Sequence, residues 1–299
     1  MKLNKHYSAA IAAYIIWGFF PIPLRWIQSY PAGDILFYRI FLSLLTLVIV
    51  IALFRRKALK GDWQYFRQLT KTHRRQAILL TLAGAALLSV NWLLFIYIVN
   101  SVNVKTASFT YLICPVLTAV LGNVLLKEKL SPLQWASVGL CAASCVLIGL
   151  NSTPELVYSL ITALSYALYL ISQRTNQGFD RLVNLGLQVF LAFIGLMFLY
   201  NYLVSQVPSE PYFYAVTMVI AVLFTVTPLF LNLFALNKIN AATIGILMYI
   251  NPLLNFVLAV TIFNETVTPL QLWGYGIILP ALVLFNYENY QKIRSVVRV

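Results

Sequence analysis

The sequence predicts an all-α membrane protein, with ten transmembrane helices arranged as two inverted five-helix repeats. Three observations predict it. The chain is 61% apolar and only 10% charged, whereas soluble chains are about a quarter charged. Ten segments have about the 20-residue length that a spanning helix needs. A stretch of sequence also recurs at a shift of 137 residues, which is five segments further on.

The expected spans are 8–28, 35–54, 77–99, 106–126, 132–150, 155–173, 182–204, 212–236, 241–263 and 269–286. Connections are short except between the second and third, and none leaves room for a soluble domain. The first segment is read as a span, not a cleaved signal, because spans follow closely and it lacks a small-x-small cleavage site. The net charge of +13 would suggest nucleic acid in a soluble chain. Here the cations lie in loops, so topology explains them and no nucleic-acid partner is expected. All but Arg25, Arg39 and Lys105 of the 21 Lys and Arg residues fall on one side of the ten spans. Cation excess marks the cytoplasmic side, which places both termini in the cytoplasm.

The repeat aligns 100–134 with 237–271 without gaps and keeps 12 of 35 positions identical. Asn100, Asn103, Thr106, Pro115, Glu128, Pro132 and Gln134 are among them. Five spans per repeat give the halves 1–151 and 152–299 opposite orientations. Such repeats are typical of secondary transporters, whose sites lie at the repeat interface near mid-membrane. Ser131-Pro132-Leu133-Gln134 and Thr268-Pro269-Leu270-Gln271 read as helix starts, with a capping hydroxyl, Pro at the first position and Gln three residues on. Glu128 and Glu265 precede these starts and read either as turn residues or as coupling acids.

Pro115 and Pro252 align inside the fourth and ninth spans. A mid-span Pro removes a backbone bond, and freed carbonyls at that depth must be buried in protein or line a cavity. These aligned breaks point to the substrate site or to a packing kink. Tyr111, Tyr249 and Asn251 lie beside them. Arg39 is a few residues into the second span, where a charge costs on the order of 3 kcal/mol. It reads either as a contact to a substrate anion or as a snorkelling side chain paired with Asp34. Asn91, beside Trp92, needs a polar partner in hydrocarbon, from substrate or from a neighbouring helix. Trp17 is mid-span, where the interfacial aromatic belt does not account for it.

The run Ala13-Tyr14-Ile15-Ile16-Trp17-Gly18 and the two Glu-bearing turns resemble the EamA-type drug/metabolite transporters. Asp34-Ile35-Leu36-Phe37-Tyr38-Arg39 and Asn91-Trp92-Leu93-Leu94-Phe95-Ile96-Tyr97, continued by Asn100, Tyr111 and Pro115, resemble the RarD branch, associated by name with chloramphenicol sensitivity. The resemblance covers essentially the whole chain. It implies a ten-helix bundle with a central cavity lined by spans one to four and six to nine, and peripheral spans five and ten. Export is the expected direction, although the residues themselves do not fix it. One departure stands out: the family often has Asn-Pro at the fourth-span break, where this chain has Cys114-Pro115, while Asn251-Pro252 keeps the pattern.

The expected substrate is a small, partly apolar organic metabolite or drug. Trp17, Arg39, Asn91, Trp92, Tyr111, Tyr249 and Asn251 are the expected contacts, and the only other partner is the bilayer. No phosphate loop, nucleophile elbow or metal-ligand spacing occurs, so no cofactor, catalytic residue or metal is expected. Two alternatives remain: a polytopic membrane enzyme acting on a lipid-linked substrate, and a non-transporting receptor. No Gly-x-x-x-Gly pair nominates a dimer face, which leaves a homodimer open. All eight acids lie in loops or near span ends, so no mid-membrane carboxylate relay is expected. A reporter fused to the C-terminus should be found in the cytoplasm; finding it outside contradicts the ten-span topology and the inverted repeat together.

Overall fold

The computed structural model describes residues 5–176, 178–205, 207–236 and 247–297. These form helices α1 (Lys5–Gly18), α2 (Pro21–Trp26), α3 (Ala32–Phe54), α4 (Arg56–Gln68), α5 (Lys71–Tyr97), α6 (Val104–Leu126), α7 (Pro132–Asn151) and α8 (Thr153–Thr175). They continue with α9 (Arg181–Phe198), α10 (Tyr200–Leu203), α11 (Pro211–Ala221), α12 (Thr227–Leu236), α13 (Ile250–Thr261) and α14 (Pro269–Val297). Among the described residues, eight helices are long and apolar enough to cross a membrane, and Ile250–Thr261 and Pro269–Phe285 are shorter apolar helices. The start of the expected ninth span at 241, with Asn237, Lys238, Asn240 and Thr243, lies outside the described residues.

Several expected spans differ from simple rods. The first is split into α1 and α2 by Pro21 and Pro23, which lack the N–H groups that would continue the helical ladder. The third is longer than expected, running from Lys71 through a π-helical turn, Ile98–Val102. The eighth holds a second π-turn, Val222–Val226, between α11 and α12. Helix α4 occupies the connection that the sequence reading leaves without structure.

The anticipated helix starts form as read. Ser131 accepts from the Gln134 N–H and Gln134 returns a bond to the Ser131 N–H. Thr268 and Gln271 make the same pair of bonds, at 3.3 and 3.1 Å. The turns before them share one geometry. Lys127 and Asn264 are both left-handed, with φ of 57° and 52°. The following Glu128 and Glu265 N–H groups bond back to the Gly122 and Ala259 carbonyls. Each bond spans seven residues, one more than in a Schellman cap, and closes the preceding helix.

Packing follows a regular scheme. Helix α1 packs on α12 and α13, α8 on α5 and α6, α3 on α9 and α11, and α5 on α9. Helix α6 packs on α13, while α7 and α14 pair with one another. The largest core cluster, around Leu24, Ile35, Ile40, Ile96 and Phe213, gathers α2, α3, α5 and α11. Ser144 on α7 donates to the Gly274 carbonyl on α14 at 2.7 Å; small residues let helices approach this closely.

Helix α4 docks on the turn between α8 and α9. Both Asp62 carboxylate oxygens accept the Asp180 N–H at 3.0 and 3.1 Å, and the Tyr65 ring packs edge-on against Phe179. Burial first, and the nearby Asp180 charge after it, push the Asp62 carboxyl above its ordinary range, against the lowering effect of that N–H bond. A raised carboxyl contributes stability that is present below its unfolded value and is lost as pH rises through its folded value. Thermal melting of native protein should therefore weaken as pH rises from the ordinary aspartate value of about 4 towards neutrality, and Asp62→Asn should flatten that slope. An unchanged slope contradicts the assignment.

Candidate functional site

The site is built around Arg39. It lies two turns into α3, and only 3% of it is exposed. Its guanidinium sits between two rings, 4.4 Å from the Trp92 centroid and 4.8 Å from Phe20. Its Nε donates to Thr225 Oγ1 at 3.1 Å, and its Nη1 is buried without a hydrogen-bond partner among the described residues. The pairing with Asp34 does not form: Asp34 instead accepts the Ser205 N–H at 2.9 Å. Nor does Arg39 snorkel, since its head is sealed inside the bundle. The site therefore contains a buried cation held by a hydroxyl and two aromatic faces, with no carboxylate paired to it among the described residues.

A broken helix supplies that hydroxyl. Pro228 has no N–H to give the Phe224 carbonyl four residues back, and the ladder widens into the π-turn. Such turns are frequent at functional sites. The freed Phe224 carbonyl accepts the Trp17 indole N–H at 3.2 Å. Thr225, held by donation to the Ile220 carbonyl at 3.0 Å, presents its oxygen to Arg39.

Asn91 is fully buried and joins three helices. Its Nδ2 donates to the Thr162 carbonyl at 2.9 Å, and its Oδ1 accepts from the Tyr111 hydroxyl at 3.2 Å. Tyr111 meets Phe95 and Tyr166 edge-on, and Phe95 stacks on Phe20. Trp92, Phe20, Phe95, Tyr111 and Asn91 thus form one wall from the guanidinium to α8, and Trp17 joins it through Phe224, which stacks on Phe20. Phe20 and Phe224 are absent from the sequence reading, and Phe95 enters it only within the run that carries the family resemblance. In a chain with 19 Phe, only the break at Pro21 and Pro23 singles out Phe20, and only Pro228 singles out Phe224.

The cluster beside Pro252 adjoins this wall through Tyr111, which packs against it. Tyr249 lies in the cluster of Phe109, Ile113 and Tyr275. Asn251 accepts from the Asn255 amide at 3.0 Å, and the Pro252 carbonyl accepts from Ser108 at 2.8 Å. Pro115 lies within α6, four residues after Tyr111.

Two ion pairs close opposite ends of the bundle. Glu265 pairs with Arg25 at 3.1 Å and accepts the Lys105 N–H at 3.0 Å and that of Val104 at 2.6 Å. A carboxylate there also satisfies the positive N-terminus of α6. Glu128 pairs with Arg174, also at 3.1 Å. The side chains of the first pair are 23% and 11% exposed, and both of the second are 48% exposed. An open polar cavity of about 520 Å³ lies at the first pair, lined by Arg25, Gln28, Asn103, Lys105 and Glu265. A smaller one, about 220 Å³, lies at the other end, between Tyr65, His73, Asn176 and Phe179. Arg39 lines neither.

Apolar helices of membrane length around a sealed cation, with an ion pair at each end, define a polytopic membrane protein with a polar site in its core. The chain belongs to the EamA-like transporter family, whose model matches residues 4–150 and 153–287. It is thus a multi-pass transporter of small molecules in the bacterial inner membrane, similar to the RarD proteins within that family. The uncharacterized transporter YojE of Bacillus subtilis is 29% identical over 95% of this chain and 94% of its own length. Protein RarD of Escherichia coli is 29% identical over 92% of each. The chloramphenicol-sensitive protein RarD of Pseudomonas aeruginosa is 28% identical over 72% of each. One crystal structure aligns over 93% of this chain and 95% of its own, with a TM-score of 0.62 and 13% identity, a likeness of fold alone.

Asn91→Leu strands the Tyr111 hydroxyl and removes one of two side-chain donors from the Thr162 carbonyl, which Ser165 still serves at 2.8 Å, and should cost about 1–2 kcal/mol. Tyr111→Phe leaves the buried Asn91 Oδ1 without its donor and should cost a similar amount. Thermal melting in detergent measures both, and an Asn91→Leu variant as stable as the native chain contradicts the role given to Asn91.

Proposed function

We propose that the chain exports a small, partly apolar organic metabolite or drug bearing an anionic group, by alternating access. The halves 1–151 and 152–299 act as inverted repeats, and both termini are cytoplasmic. The observation that carries the reading is Arg39. A cation in the apolar core without a carboxylate partner is costly, and a substrate carboxylate would supply the missing charge and a charge-assisted hydrogen bond at Nη1. Trp17, Trp92 and Tyr111 would wall its apolar part, and Asn91 would hold Tyr111 in place. Tyr249 and Asn251, near the aligned Pro252, and Pro115 itself would come into play as the halves rearrange.

The packing scheme supports two exchangeable halves. Replacing each helix by the one five spans away turns the α1–α12 pair into α8–α5, α1–α13 into α8–α6, and α3–α11 into α9–α5. The ion pairs follow the same exchange. In each, a glutamate from the repeated turn of one half holds an arginine from the first span of the other half. The Arg25–Glu265 pair is the more shielded of the two, while the larger open polar cavity lies beside it. Alternation would tighten one pair while the other parts. Since the acids lie in loops or near the ends of the expected spans, net flux would follow the substrate's own gradient.

The test is uptake of a metabolite mixture by proteoliposomes, with the accumulated compounds identified chemically unaltered. Arg39→Lys should keep part of the transport, because the charge remains while the planar two-point geometry is lost. Arg39→Ala should abolish transport of anionic compounds while still inserting. Normal transport by the Arg39→Ala variant contradicts the proposal.

A further inference from the structure

We propose that α4 is an interfacial strap that binds anionic phospholipid headgroups at the cation-rich end of the bundle. This rests on membrane residence alone and not on the substrate reading. Helix α4 starts immediately after Arg55, which caps the end of α3. At about 1.5 Å per residue it is roughly 20 Å long. Its far end is fixed as well, since Arg74 Nη2 donates to the Arg67 carbonyl at 2.9 Å. A helix tied at both ends to spanning helices lies along the membrane surface.

Its faces are ordered as such a position requires. At 3.6 residues per turn, Ala58, Asp62, Tyr65 and Leu69 share the face that docks on the 178–180 turn. Leu59, Trp63 and Phe66 form the next strip. Leu59 is 48% and Trp63 59% exposed, although both are large and apolar. Arg56, Lys60 and Arg67 form the strip beyond, with Lys57 further round the helix, and all four are exposed. An apolar ridge bordered by cations is the pattern of helices that sink one edge into the acyl boundary and keep cations at the headgroups. The helix's one acid, Asp62, is turned away onto the Asp180 N–H. Charge therefore selects the occupant: a phosphate-bearing lipid with net negative charge, where a zwitterionic one gains only the apolar contact. Cation excess for topology alone requires no such order, because it counts charges and not faces.

The experiment is native mass spectrometry of the full chain with phosphatidylglycerol or phosphatidylcholine of matched acyl chains. The native chain should retain phosphatidylglycerol preferentially. The combined Lys57→Gln, Lys60→Gln and Arg67→Gln variant should lose at least roughly tenfold of that retention with phosphatidylcholine unaffected. Neutralising Lys127 and Lys129, exposed cations at the same end, should leave it intact. Trp63→Ala should weaken retention of both lipids. Native-like phosphatidylglycerol retention in the triple variant overturns the proposal, and so does an equal loss on neutralising Lys127 and Lys129, which would mean that any cation at this end suffices.

Discussion

A guanidinium buried between aromatic rings, with a threonine hydroxyl in place of a carboxylate, is the constraint around which this bundle is arranged. Each Arg–ring contact contributes on the order of 2 kcal/mol when dry, and the Thr225 bond adds a charge-assisted interaction. The cation must still be kept from water and from competing acids. The surroundings do both. Asp34, the nearest acid along the chain, is occupied by the Ser205 N–H. The aromatic wall closes over the guanidinium, and Asn91 fixes that wall to α8. Even the break in the eighth span serves it, because the π-turn that frees the Phe224 carbonyl for Trp17 also turns Thr225 toward Arg39.

The acids of the repeated turns act at the periphery of this core. Glu265 gathers Arg25 and the start of α6 at one end, and Glu128 gathers Arg174 at the other. Each turn is a left-handed residue followed by glutamate, so the carboxylate emerges at the same point of each helix end. The two ends differ in what surrounds the pair. One carboxylate also holds backbone N–H groups and is shielded; the other is open to solvent. The same local motif thus holds a shielded pair at one end and an exposed pair at the other.

What the sequence made legible was whatever local chemistry alone decides. Ser131, Thr268 and the two Pro-Leu-Gln runs specify helix starts within four residues, and they form as read. Arg39 was legible as an anomaly, since a charge among apolar residues is costly wherever its side chain goes. Trp92 was read into the same site, but the contacts to Phe20 and Thr225 were not, because these come from the first break and the π-turn, distant in sequence. Helix α4 was missed because its faces are short strips around one helix within a strongly charged segment that reads as a loop. Tyr249 and Asn251 entered the reading through their proximity to Pro252; Tyr249 packs in a cluster with α6 residues and Asn251 accepts from Asn255. Proximity in sequence to a helix break does not fix which face a side chain occupies.

The central claim is that Arg39 awaits an anionic group on the substrate. Thermal stabilisation of the purified full chain by a panel of small carboxylic acids, each compared with its own methyl ester, tests it most directly. The account predicts that some acids raise the melting temperature, that their esters do not, and that Arg39→Gln removes the difference. Equal stabilisation by acid and ester, or an acid preference that survives in Arg39→Gln, would contradict it.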